Sequence, residues 1–226
     1  QFNELVVFIL TFIQMKKYHS LVLIAITAIT LVSSITMVSC KESQQSAPTP
    51  EKVSPKELLA YFRDQDVEMK TNDNKIVALN LEGKELTAKM LANIVECKHI
   101  EFLILDSTNI TDKGLKEIVK LTNLKALWLD FTEITEVGLA ELANLKKLRD
   151  LDIEDIEGSL FDGLKSIEKF TSLKSLELIN NGIGDECIES LSKMKNLEHL
   201  WIIEGNNLSS KGLVRLKNAL PKCLIH

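Results

Sequence analysis

The chain has 226 residues, of which 45% are hydrophobic, 26% charged and 5% aromatic, and its formal net charge is −5. This composition permits a substantial buried core and excludes a disordered or collagen-like chain. Four cysteines are too few for a disulfide-dense secreted module. An acidic balance argues against a nucleic-acid partner, because neutralising phosphates requires clustered Lys and Arg. We therefore expect a globular, mildly acidic protein.

The N-terminal region predicts export rather than a part of the fold. Lys16 and Lys17 precede an uncharged apolar run over residues 21–38, and small residues follow it. A basic flank, an apolar span and a small-residue break are typical of a secretory signal peptide. We therefore interpret residues 15–39 as a signal peptide and residues 1–14 as an over-extended start.

Residues 37–40, Met-Val-Ser-Cys, resemble the lipobox of bacterial lipoproteins, in which the cysteine becomes the lipidated first residue. The resemblance implies lipidation at Cys40 and a membrane-anchored lipoprotein of the bacterial cell envelope, on the periplasmic side or at the cell surface. Two alternatives stay open: an uncleaved transmembrane anchor, since about eighteen apolar residues nearly span a bilayer, and cleavage without a lipid. Residues 40–54, rich in Ser, Gln and Pro, predict a flexible tether.

Residues 55–75 predict an N-terminal cap that begins with a helix. Ser54-Pro55-Lys56-Glu57 has the pattern of a capping box with proline at the first helical position. Leu58, Leu59 and Phe62 follow at helical spacing, so one face of this helix is apolar. We expect the helix to shield the edge of the domain that follows.

Residues 76–226 contain a repeat with a spacing of 24 residues, lengthened by one residue in the fourth and sixth copies. The alternating apolar first halves of the six copies are residues 76–81, 100–105, 124–129, 148–153, 173–178 and 197–202. A polar start and an apolar set at helical spacing follow. The apolar residues of one copy cannot offset the entropy of ordering it, so the copies must stack.

These copies resemble the leucine-rich repeat, LxxLxLxxTxITDxGLxxLxxL, and Ile110-Thr111-Asp112-Lys113-Gly114-Leu115 matches its second half closely. The resemblance implies an α/β solenoid, or horseshoe, of about six repeats, with a parallel concave sheet and convex helices. Thr111 and Thr135 are expected to be helix N-caps, with Asp112 favoured by the helix dipole. Cys97 falls on a core position of the repeat, so we expect it to be buried.

In this family's geometry, repeat positions three, five, seven and eight face the concave side. Nine of the 24 residues at these positions are acidic, none is Lys or Arg, and both tryptophans are among them. Aromatic anchors are typical of binding hot spots, and an acidic surface favours a basic partner. The candidate partner-binding residues are Phe102, Asp106, Trp128, Asp130, Phe131, Asp150, Asp152, Glu154, Glu177 and Trp201. The alternative is an inner face whose acids only keep the solenoid soluble.

The sequence favours a non-enzymatic protein that binds a basic protein or peptide, with no cofactor, metal or small-molecule substrate. It contains no glycine-rich phosphate loop, HExxH or GxSxG motif. Calcium at Asp150, Asp152 and Glu154 is disfavoured, because alternate residues of one strand lie about 6.5–7 Å apart. Trp128 and Trp201 leave a carbohydrate or cell-wall ligand as one alternative. A substrate adaptor of a ubiquitin ligase is another, implied by the repeat's resemblance alone.

Overall fold

The structure is a computed structural model that describes residues 53–156, 165 and 168–226. The predicted over-extended start, the signal peptide and Cys40 lie outside the described residues, as does the tether up to residue 52. Residues 157–164, 166 and 167 of the fourth repeat lie outside them as well.

Short strands and helices alternate along the described chain. The helices are α1 (Pro55–Asp64), α2 (Ala88–Glu96), α3 (Asp112–Ile118), α4 (Glu136–Leu142), α5 (Ile188–Leu191) and α6 (Ser210–Ala219), and a 3₁₀ turn (Asp185–Cys187) leads into α5. The strands are β1 (Glu68–Asn72), β2 (Lys75–Asn80), β3 (Phe102–Ile104), β4 (Ala126–Trp128), β5 (Asp150–Asp152), β6 (Ser175–Glu177), β7 (His199–Trp201) and β8 (Leu224–Ile225).

All eight strands form one sheet in the order of the sequence. Strands β2 to β8 run parallel, and each pairs in register with the strand one repeat later. The leucine at repeat position four therefore lies opposite its counterpart in the next repeat, as Leu103 does opposite Leu127. The predicted solenoid of six stacked repeats with a parallel sheet is confirmed.

The core lies between this sheet and the helices. The residues at positions one, four and six of the repeat form buried rows through the whole stack, as at Ile100, Leu103 and Leu105. Cys97 is buried as expected, and its Sγ donates a hydrogen bond to the Asn93 carbonyl at 3.4 Å. Burial raises the pKa of Cys97 to about 12, so this thiol stays protonated at neutral pH.

The N-terminal edge is covered by α1 and an antiparallel hairpin. The capping box is present: the Ser54 amide donates to Glu57 Oε2 at 2.7 Å, and the Glu57 amide donates to Ser54 Oγ at 3.3 Å. Strand β1 pairs with β2 through a two-residue turn at Asp73 and Asn74, both with positive φ. Sequence reasoning did not predict this hairpin, although Asp and Asn are favoured in such turns.

The N-terminus of α3 differs from the expectation that Thr111 caps it. Thr135 Oγ1 accepts from the Val137 amide at 3.2 Å, as predicted for an N-cap, but Thr111 makes no side-chain cap hydrogen bond. Asp112 instead joins two repeats: its Oδ1 accepts from the Thr135 amide at 2.8 Å and its Oδ2 from the Thr135 hydroxyl at 2.7 Å. A Cβ at Gly138 would collide with this carboxylate, which explains the glycine of the motif.

A left-handed residue follows strands β2 to β7 in each repeat. These residues are Gly83, Ser107, Phe131, Asp155, Asn180 and Gly205, with φ between 50° and 67°. The amides of Gly83, Ser107 and Phe131 donate to a carbonyl of the next repeat, at 2.8 to 2.9 Å. In the sixth repeat the residue comes one place later, at Gly205, as expected from the insertion there.

We predict that Gly205→Ala is more destabilising than Gly83→Ala, although both glycines have φ of +67°. A Cβ at Gly205 would lie 2.5 Å from the Asn180 Cα, whereas a Cβ at Gly83 would meet nothing within 4 Å. Gly83→Ala should cost about 1–2 kcal/mol for the left-handed backbone, and Gly205→Ala about 1–3 kcal/mol more for overpacking. Urea denaturation measures both, and equal losses would contradict the close approach.

Candidate binding face

The ladder register places the candidate residues of the sheet in two rows. At repeat position five, Trp128 pairs with Asp152, Asp152 with Glu177, and Glu177 with Trp201. Two carboxylates thus lie side by side between two indoles that are three strands, or about 14 Å, apart. Phe102 and Asp150 belong to the parallel row at position three.

The centre of this face is less open than the sequence suggested. Trp128 is only 7% exposed and Asp152 only 8%, so the expectation that both look out to solvent is wrong. Asp150 is exposed, whereas Glu177 and Trp201 are half-buried, and Phe102 is half-buried as well. On β5 to β7, the accessible candidates are therefore Asp150, Glu177 and Trp201.

Asp106 and Asp130, at position seven, are buried in the stack instead of facing a partner. Each is 3% exposed. Asp106 Oδ1 accepts from the Asp130 amide at 2.9 Å, and Asp130 Oδ1 accepts from the Glu154 amide at 2.9 Å. A buried amide without an acceptor lowers the stability of the fold. These carboxylates provide the acceptor for an amide in the turn of the next repeat. Asp106 and Asp130 are thus structural residues and not, as the sequence suggested, part of the binding surface.

Asparagines perform a similar task in the C-terminal repeats. Asn181 Oδ1 accepts from the Ile156 amide at 3.2 Å and its Nδ2 donates to the Ile153 carbonyl at 2.8 Å. Asn206 Oδ1 accepts from the Ile183 amide at 2.9 Å, and its Nδ2 donates to the Leu178 carbonyl at 2.6 Å. Both asparagines fall at the position where the repeat pattern has threonine. This polar position is the feature of the sequence that could have indicated their role.

Phe131 and Glu154 lie in the turns after β4 and β5, beyond the two rows of the sheet. Phe131 is 38% exposed in a left-handed conformation, and Glu154 is half-buried. Six of the ten candidates therefore lie in the two rows of the sheet, where Trp128 and Asp152 are buried; two lie in the turns, and Asp106 and Asp130 are buried in the stack.

The C-terminal end of the face carries a cluster of three rings that sequence reasoning missed. The Trp201 ring is nearly parallel to that of His226, with centroids 4.8 Å apart, and to that of His199, at 5.5 Å. The two imidazoles are 6.0 Å apart. His199 and His226 are 27 positions apart in the sequence, but β7 and β8 are neighbours in the sheet.

Desolvation by its surroundings raises the pKa of Asp150, although its side chain is exposed. Arg149 opposes this shift and Glu198 adds to it.

Basic residues also lie along the face, at position two of the repeat. Lys125 lies 2.7 Å from Glu101 Oε2, and Lys174 lies 2.7 Å from Glu198 Oε1. The acidic residues at positions three and five thus lie beside ion pairs at position two of the repeat.

No three His, Cys, Asp or Glu side chains converge as metal ligands in the described parts of the chain. In the same parts, none of the helices has both the length and the apolar character needed to cross a bilayer.

A model of the Leucine Rich repeat family matches residues 96–119 and 171–192. The described repeats have the leucine-rich-repeat fold. The LRR protein LIC12759 of Leptospira interrogans is 28% identical with a TM-score of 0.52, over 66% of this chain and 36% of that one. An internalin of Listeria monocytogenes, InlF, is 22% identical with a TM-score of 0.48, over 66% of this chain and 46% of that one.

The leucine-rich-repeat chain spans less than two thirds of the length of these similar structures. The internalin C2 of Listeria monocytogenes is 27% identical with a TM-score of 0.41, over 65% of this chain and 60% of that one. No curated protein matches the chain. The likeness to the Leptospira protein supports the fold described above.

We predict that Asp130→Ala destabilises the leucine-rich-repeat domain whereas Asp150→Ala does not. Asp130 satisfies a buried amide, so its loss should lower the free energy of unfolding by about 1–3 kcal/mol. Desolvation disfavours the charged form of Asp150, so its removal at neutral pH should leave stability unchanged or raise it. Urea denaturation at pH 7 compares them, and a larger loss for Asp150→Ala would reverse the assignment.

Proposed function

We propose that the protein is a non-enzymatic binding module that takes a basic protein or peptide on the concave face of β5 to β7. The observation that carries this proposal is the accessible acidic and aromatic surface of Asp150, Glu177 and Trp201, with the buried carboxylate of Asp152 paired beside Glu177. Adjacent carboxylates give this part of the face a negative potential, which a cationic side chain of a partner complements.

The surroundings of this pair favour a Lys or Arg side chain. Asp150 offers a third carboxylate one pleat away, and its desolvation weakens its competing interaction with water. The half-buried Trp201 supplies an aromatic face near these acids, which adds a cation–π contribution of about 0.5–1 kcal/mol at a partly exposed site. Neither the carboxylates nor the indole serves the buried leucine rows of the solenoid.

We predict that Asp150→Lys weakens capture of the partner by about tenfold or more, because it places a cation where the partner's cation binds. Glu189→Lys, on the exposed side of α5, is the matched control, since it changes the net charge equally on the convex side. The tagged full chain, solubilised in detergent, is incubated with a bacterial envelope extract, and the bound proteins are quantified against salt concentration. Equal capture by both variants would remove the site from the concave face.

A carbohydrate ligand is the second candidate, supported by the nearly parallel rings of His199, Trp201 and His226. Flat aromatic faces can stack on a sugar ring, and such binding would tolerate Asp150→Lys better than Trp201→Ala. Glycan arrays probed with the wild type and these two variants separate this class from peptide binding.

We also propose that the protein resides in the bacterial cell envelope, anchored by a lipid on Cys40. Met37, Val38 and Ser39 before this cysteine match the lipobox in part, and the apolar run before them fits a signal peptide. Lipidation would hold the leucine-rich-repeat domain at a membrane surface through the tether.

We predict that Cys40→Ala releases the protein from the membrane fraction and abolishes its labelling by a fatty-acid analogue. Cys223→Ala is the control, because this cysteine belongs to the repeat domain. Membrane association that Cys40→Ala leaves unchanged, together with no fatty-acid label on the wild type, would argue for the transmembrane-anchor alternative.

A further inference from the structure

Two apolar side chains are exposed in the turns at the carboxyl ends of the strands. Phe131 follows β4 and is 38% exposed, and Ile203 follows β7 and is 47% exposed. Their turns are three strands apart, which is about 14 Å at the usual spacing. We call this region, from Phe131 to Ile203 across the ends of β4 to β7, the rim.

The backbone at Phe131 is unfavourable for an aromatic residue. Its φ is +53°, and the equivalent residues Gly83, Ser107, Asp155 and Asn180 are small or polar. Glycine and asparagine adopt this conformation readily, whereas bulky side chains seldom do. Among the residues that the structure describes, the Phe131 ring is also absent from the buried core of the solenoid. The packing of these residues therefore gives no reason for phenylalanine here, and such residues cluster at functional sites.

Ile203 is exposed because it belongs to an insertion. The Phe131 amide donates to the Glu154 carbonyl, and the equivalent Asn180 amide donates to the Glu204 carbonyl at 3.1 Å. This pattern aligns Glu204 with Glu154 and leaves Ile203 as the extra residue between β7 and the turn. The insertion adds an apolar side chain to the surface rather than to the core.

Carboxylates lie between these two apolar residues. Asp155 is exposed and Glu154 half-buried at the end of β5, and Asn180 is exposed at the end of β6. Across the rim the order is therefore apolar, acidic, polar and apolar. A complementary ligand must present an apolar group, a basic group and a second apolar group along about 14 Å.

We propose that the rim binds an extended peptide segment with the pattern apolar–x–basic–x–apolar. An extended chain rises about 3.3–3.4 Å per residue and alternates its side chains, so residues i and i+4 lie on one face about 13–14 Å apart. They contact Phe131 and Ile203, and the basic residue at i+2 lies near Asp155. The inference rests on the proposed protein-binding function and adds the spacing that the partner must have.

The test compares three labelled synthetic peptides by fluorescence anisotropy on the detergent-solubilised full chain. The first has leucine at positions one and five and lysine at position three of its central segment. The second moves one leucine to position four, where it points away, and the third replaces the lysine by glutamate. We expect the first peptide to bind at least tenfold more tightly than the other two.

Phe131→Asn should weaken binding of the first peptide at least tenfold while raising Tm by a few degrees, because asparagine fits the left-handed backbone better. This opposite movement of affinity and stability is not expected of a residue that only packs. Val137→Asn is the matched control, since Val137 is 55% exposed on α4; it should leave peptide binding unchanged. Ile203→Asn provides a second variant, with the same expected loss of binding.

The proposal is overturned if the wild type does not bind the first peptide, if register and charge make no difference, or if Phe131→Asn and Ile203→Asn bind it normally. Failure of the broader function is a different result, in which Asp150→Lys and Glu189→Lys capture the envelope partner equally. If Asp150→Lys loses capture while the rim variants keep peptide binding and capture, the concave face stands and the rim does not.

Discussion

The structure depends on lateral contact between repeats, because no repeat can bury its own leucines. Each strand has only three residues in β3 to β7, and its backbone hydrogen bonds go to the strands of the repeats beside it. The ordering entropy of one repeat exceeds what its few apolar residues recover alone. Folding of one repeat therefore requires the next. The buried leucines and the polar residues of the turns both depend on a neighbouring repeat.

The turns show how strongly stacking determines the roles of polar residues. Asp112 and Asp130 each reach from one repeat to an amide of the next, and Asp185 does so at Ser209, with its Oδ1 2.8 Å from the amide. Hydrogen bonds from Ser209 also lower the pKa of Asp185, so its carboxylate stays charged over a wider pH range. Acidic residues of this solenoid can therefore connect repeats instead of binding a partner.

Much of the fold could be predicted from the sequence, because the spacing of 24 residues gives the stack and the alternation of leucines gives the buried rows. The candidate site was harder, since a pattern assigns a side chain to a face but not to a hydrogen-bond partner. Asp106 and Asp150 are alike in the sequence, yet one is buried against an amide and the other is exposed. The proximity of His199 and His226 likewise needed the pairing of β7 with β8.

Apart from the residues that hold the stack together, three residues of this surface share an unusual property. Asp150 is a desolvated carboxylate, Phe131 occupies a backbone region that suits glycine, and Ile203 is an exposed apolar insertion. Each is less favourable for folding or solubility than a simple alternative at the same position. Natural proteins tolerate such local conflicts mainly where function requires them. Because all three lie on the concave face or its rim, the energetics of folding and the charge pattern favour the same surface.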